Sequence, residues 1–164
     1  MASAEEVNLN DSHPPHPNAI EAFEKVISHI KSAIVRSRHD WDKVVIVSFA
    51  HGREQHEPRM WSRAHGVDDH QLTTFDISKD LVLIRSGSVS YGTIIFGKLR
   101  IPAINDSEGE GFIHIRIHDP PNRGTQDVVF HSIFTEEGNR NADGHPTTWR
   151  AIHTKDTPLE FFNE

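Results

Sequence analysis

The residues best suited to chemistry lie in one run, Phe112-Ile113-His114-Ile115-Arg116-Ile117-His118-Asp119, whose apolar and polar side chains alternate with period two. On a β-strand successive side chains point to opposite faces, so Ile113, Ile115 and Ile117 share one face and His114, Arg116 and His118 line the other. A neutral imidazole can serve as a general base, and a guanidinium beside it can stabilise an oxyanion or carboxylate. Further on, Phe130, Ser132 and Phe134 alternate against Val129, His131 and Ile133, so both faces of that strand carry apolar groups. A strand of this kind is covered on both sides. Three polar side chains on a covered face need hydrogen-bonding partners or a ligand, because unpaired buried charge is strongly unfavourable. His114, Arg116, His118 and His131 are therefore the expected catalytic set of a small-molecule pocket. The competing expectation is the solvent-facing polar side of a half-covered sheet.

Other chemistries find less support. His51, His56, Glu57, His65 and His70 offer imidazole and carboxylate ligands, but their spacings match no standard metal pattern, so a metal enzyme is only a weaker alternative. His114 and His118 stand four residues apart on a strand, about 13 Å, too far to share one ion. Without cysteine the chain has no disulfide, thiolate metal site or cysteine nucleophile. It contains no GxSxG, GxxxxGK[ST] or GxGxxG, and Gly109-Glu110-Gly111 sits in acidic surroundings unsuited to phosphate. Most carboxylates, such as Glu136-Glu137, read as solvated turn residues rather than glycosidase pairs. The expectation is a site with no cofactor and no metal.

A formal charge of −7 without a basic run argues against nucleic acid as a partner. The start MASAEEVNLN has neither a basic nor an apolar leader region, and no stretch of ~18–20 apolar residues occurs, so a soluble, cytoplasmic protein without a membrane partner is expected. Protonating all thirteen histidines would carry the formal charge from −7 to +6, which makes acid sensitivity an expectation.

The elements that must position the site follow from periodicity. Residues 1–17 are rich in Pro, Asn and acidic groups and read as a disordered arm, leaving 18–164 as a single α+β domain. Asn18 and Glu21 have capping-box spacing, and Ile20, Phe23, Ile27, Ile30 and Ile34 recur every three or four positions, predicting one amphipathic helix over 19–37. The β-branched run Val44 to Phe49 predicts a buried strand. Residues 50–71 predict a long loop with a helical turn near Met60 to Ala64. Strands are then expected at 73–77, 80–86, 89–101, 112–118, 128–135 and 147–154, with Gly92 and Gly97 marking bulges or a bend where the sheet curls. The helix would pack in the concavity of this mainly antiparallel sheet, an α+β roll.

A helix followed by DWDKV, a long middle segment, and terminal hairpins ending in Trp149-Arg150-Ala151-Ile152 give a layout that resembles the NTF2-like or SnoaL-like cone fold. It departs from that pattern in having one clear helix before the sheet. The resemblance implies either a cofactor-free cyclase, dehydratase or isomerase, or a noncatalytic binding module. The leading expectation is thus a small-molecule pocket protein. Its rival is an interaction module in which the sheet forms a homodimer and histidines tune association with pH.

Overall fold

The computed structural model describes residues 9–50, 61–64, 66–90, 92–107, 109–120, 128–138 and 148–162, with backbone alone at 41–50, 62, 136–138 and 148–150. Helix α1 spans Pro17–Lys25 and opens on proline at its first turn, where the fixed φ suits a helix and the missing N–H is no loss. His16 is the N-cap, without a side-chain capping bond, so the expected Asn18 to Glu21 capping box is not the start of the helix.

The apolar stripe is buried as its spacing requires: Phe23, Val26, Ile30 and Ile34 are each at most 1% exposed. The single helix expected over 19–37 is nevertheless two. Val26 leaves helical dihedrals (φ −110°, ψ 14°), and α2 then spans Ile27–Ala50. The break falls at two adjacent β-branched residues, Val26 and Ile27, whose stiff side chains crowd the preceding turn. Helix α2 also replaces the strand expected from Val44 to Phe49. Extending an existing helix adds a hydrogen bond per residue fixed and overrides the weak β preference of that run.

A 3₁₀ turn at Ser62–Ala64 falls where a helical turn is expected, and α3 (Asp69–Leu72) follows it under a capping box from Asp68 and Gln71. The strand expected at 73–77 is absent. Asp76 instead accepts from the Ser78 N–H and caps α4 (Ile77–Asp80), a side-chain bond that favours a helical turn over an extended ladder.

Four antiparallel strands follow: β1 (Leu81–Val89), β2 (Gly92–Asp106), β3 (Gly109–Asp119) and β4 (Val129–Ile133), in the order β1-β2-β3-β4. A separate pair joins β5 (Glu136–Gly138) to β6 (Thr148–Arg150). The architecture is α+β, with a four-stranded antiparallel sheet beside short helices. Gly92 (φ +104°) turns the chain into β2, which is why β2 starts there rather than at Val89. Gly97 is not a bulge. A Cβ there would sit 2.5 Å from the Phe23 ring, so glycine allows the helix side chain to touch the strand backbone.

The register assigns the faces. Ile95, Leu99, Ile101, Ile113, Ile115 and Ile117 join the helix side chains in one core. On the other face Ile94 and Phe96 meet Leu159 and Phe162 of the C-terminal segment. Residues 9–16, expected within a disordered arm, run beside β1: the His13 and Ile84 backbones bond reciprocally, at 3.0 and 2.8 Å, and the Asn10 N–H reaches the Ser86 carbonyl. Among the described residues no helix is long and apolar enough to cross a membrane.

Candidate functional site

Strand β3 carries the alternation its sequence dictates. His114 and Arg116 share a face and are each 1% exposed, while His118 at the strand end is half-buried. Across the β2–β3 pair Lys98 stands opposite His114, and Phe96 opposite Arg116. In β4 the register slips between Arg116 and Ile117, so that both His131 and Ser132 fall against Arg116, a bulge. That extra residue breaks the strict alternation expected for β4. Phe130 and Ile133 therefore both pack on the helix-side core, and His131 turns towards Arg116.

The four residues singled out by sequence do gather. Arg116 Nε donates to His131 Nδ1 at 3.0 Å, and the His118 and His131 rings stack 5.7 Å apart. The face they share is not open to solvent. Arg116 Nη1 donates to the Phe162 carbonyl at 2.8 Å, and its guanidinium lies over the rings of Phe96 and Phe161. His114 stacks on His153 with ring centres 4.5 Å apart, and Phe134 lies against both. Burial, reinforced by the charges that His153 and Lys98 would carry, pushes the His114 imidazole down to about 2, so it stays neutral. Its Nε2, and Ser132 Oγ, are buried with no hydrogen-bond partner among the described residues. Lys98 Nζ donates to the carbonyls of Lys155 and Thr157, and burial holds its ammonium below the usual lysine range.

Sequence reasoning found this row and missed what covers it. Lys98 and His153 belong to the same face, and only the strand register and the course of residues 151–162 bring them to His114.

On the opposite face, at the end of the sheet beside the start of α1, lies an open groove of about 1060 Å³. Its floor is apolar, from Ala19, Ala22, Ile84 and Ile95, and its polar groups come from three places. The N-terminal segment supplies Asn10, His13 and His16, α1 supplies Asn18 and Glu21, and the strands supply Ser86, Ser88, Thr93 and Asp119. His13 Nδ1 lies 2.8 Å from the Pro14 carbonyl, which can only accept, so that nitrogen carries the proton and Nε2 is left to accept from Asn10 at 3.4 Å. Asp119 is half-buried, its Oδ1 has no hydrogen-bond partner among the described residues, and burial raises its carboxyl above the ordinary range against a smaller opposing pull from His118. A carboxyl so placed can take up and return a proton nearer neutral pH. None of these residues was expected from sequence to form a site, although Asn18 and Glu21 were read as a helix cap and Asp119 ends the strand run, because their convergence depends on residues 9–16 running along β1.

Of the weaker metal set, His51, His56, Glu57 and His65 lie outside the described residues, and His70 is exposed on α3. Among the described residues no three histidine or carboxylate side chains are grouped to hold an ion. Comparison of the chain with protein-family models, curated proteins and solved structures finds no match.

Proposed function

We propose that this chain is a small-molecule pocket protein whose ligand lies in the groove beside the start of α1. The observation that carries this reading is the convergence of polar groups from three elements over an apolar floor in a space of about 1060 Å³, the upper end of the size usual for ligand sites. Asparagine amides and the Ser86, Ser88 and Thr93 hydroxyls suit a polar, oxygen-bearing ligand. Asp119 is the acid–base residue, and proton transfer without a cofactor, as in isomerisation, dehydration or cyclisation, is the reaction class that it supports.

This reading moves the chemistry away from His114, Arg116, His118 and His131. A substrate reaching His114 or Arg116, each 1% exposed, would first have to displace His153, Phe161 and Phe162, which pack against them. In the proposal the row secures the C-terminal segment while the groove binds ligand. The fold reading extends with it: helices seated on the concave face of a curled sheet, in the manner of an NTF2-like cone, are supported by the Phe23–Gly97 contact and by the register shifts in β1 and β2.

A panel of polar small molecules screened by thermal shift tests the proposal. Some members should raise the melting temperature of the natural chain, and a Ser88→Trp variant, which fills the exposed mouth of the groove, should abolish the shift while leaving unfolding cooperative. A hit unaffected by Ser88→Trp binds elsewhere and contradicts the groove.

A further inference from the structure

The charges around the groove beside the start of α1 are one-sided. Its titratable lining consists of two carboxylates, Glu21 and Asp119, and two imidazoles, His13 and His16; no lysine or arginine is among the described residues that line it. Arg85 and Lys98, on the neighbouring strands, are engaged elsewhere, donating to the carbonyls of Leu159 and of Lys155 and Thr157. Burial raises the Asp119 carboxyl, and the opposing pull of His118 is the smaller effect, as befits a carboxyl with no fixed cation beside it. A phosphate or carboxylate entering the groove would therefore lose hydration, meet like charge and find no guanidinium or ammonium to pair with.

Other rim groups both donate and accept: the Asn10 and Asn18 amides and the Ser86, Ser88 and Thr93 hydroxyls. A ligand hydroxyl matches such groups in either sense, whereas an ammonium can only donate. Beneath them Ala19, Ala22, Ile84 and Ile95 offer apolar surface to the C–H face of a ligand whose hydroxyls reach the rim. We propose that the groove takes an uncharged, hydroxyl-rich compound of the sugar or sugar-alcohol class, and that Glu21 and Asp119 select against its phosphorylated and carboxylated forms. This ligand class rests on the groove being the binding site, and the two can fail separately.

The test titrates the full chain, at about pH 8 where an ordinary imidazole is neutral, with matched sets of an aldose or sugar alcohol, its phosphate, its uronate and its amino sugar. At least one neutral parent should bind, at least tenfold more tightly than its phosphate and uronate and at least as tightly as its amino sugar. Raising the salt from about 0.1 to 1 M, which screens charge pairs, should leave the parent's affinity unchanged. Glu21→Gln/Asp119→Asn should weaken the parent and shrink its advantage over the phosphate at least threefold; an undiminished advantage overturns the role given to the two carboxylates. Should that variant not fold, Ser88→Lys, which adds a cation at the exposed mouth, should shrink the same advantage, and an unchanged ratio overturns the proposal. Tighter binding of a phosphate, uronate or amino sugar than of its parent overturns the ligand class, as does a polar panel whose hits include no sugar or sugar alcohol. In both cases the groove itself stands if Ser88→Trp abolishes the binding. Absence of any binding sensitive to Ser88→Trp overturns the groove and the ligand class together.

Discussion

The imidazoles of His114 and His153 stack at 4.5 Å and 21° from parallel, one ring carried by β3 and the other by the C-terminal segment. Burial first, and then the charge that His153 would carry beside it, hold His114 neutral down to about 2.

That pairing makes the chain acid-sensitive with a definite sign. The folded His114 is depressed below its ordinary value, so the unfolded state takes up the proton first as pH falls below about 6.5. Its contribution is complete above that pH and is lost progressively towards the folded value of about 2. One such group gives about 1.4 kcal/mol per pH unit between pH 6 and 4. Urea unfolding across that range should show a slope of this sign, reduced by Asp119, whose raised carboxyl takes up its proton first in the folded state, and His114→Phe, which keeps a ring in the stack, should lower it by about one proton. An unchanged slope in His114→Phe would place the sensitivity on other histidines.

Arg116 should matter for folding. Replacing it by Ala leaves the Phe162 carbonyl and His131 Nδ1 without their donor and opens a cavity, which should cost roughly 3 kcal/mol or more. Arg116→Met fills the space with apolar volume and should cost clearly less. Chemical denaturation distinguishes them, and a loss below about 0.5 kcal/mol for Ala would mean that the segment is not held through this residue.

The Phe23–Gly97 contact predicts coupling between helix and strand. Gly97→Ala pushes a methyl group against the ring and should cost roughly 1–3 kcal/mol, and Phe23→Ala roughly 3–5 kcal/mol. Because Phe23→Ala also removes the obstacle to the new methyl, the double variant should fall short of the sum by about 1 kcal/mol or more. Strict additivity would show that the two do not touch.

What was legible in the sequence is what local periodicity encodes. The stripe from Phe23 to Ile34 and the alternation from Ile113 to His118 each define a face, and both faces are buried. Less legible was anything set by a single residue or by distant pairing. The break at Val26 and the β4 bulge at His131 shift the frame locally, and neither leaves a pattern in composition. The run Val44 to Phe49 has strand-forming side chains, yet it continues a helix already under way. The groove was invisible because Asp119 lines it together with His13 and His16 only when residues 9–16 lie along β1, about seventy positions further on in the chain.

Those N-terminal residues supply the next prediction. Deleting residues 1–15 removes the reciprocal His13–Ile84 bonds and Asn10, whose carbonyl accepts from Arg85 and whose Oδ1 accepts from the Ser86 N–H. Each net hydrogen bond contributes about 0.5–1.5 kcal/mol, so losing these four should lower stability by roughly 2–6 kcal/mol while the truncated chain still unfolds cooperatively. A melting temperature equal to that of the full chain would mean that this segment does not hold to β1 in solution.

The central claim, that the ligand site is the groove and not the covered histidine row, is tested most directly by mapping amide chemical shifts in the full chain as thermal-shift hits are titrated in. The perturbed amides should cluster at Ser86, Ser88, Thr93 and Asp119, and Asp119→Asn should weaken binding at least tenfold while leaving the folded spectrum intact. Perturbations centred instead on His114, Arg116 and His131, with the groove amides unmoved, would contradict it.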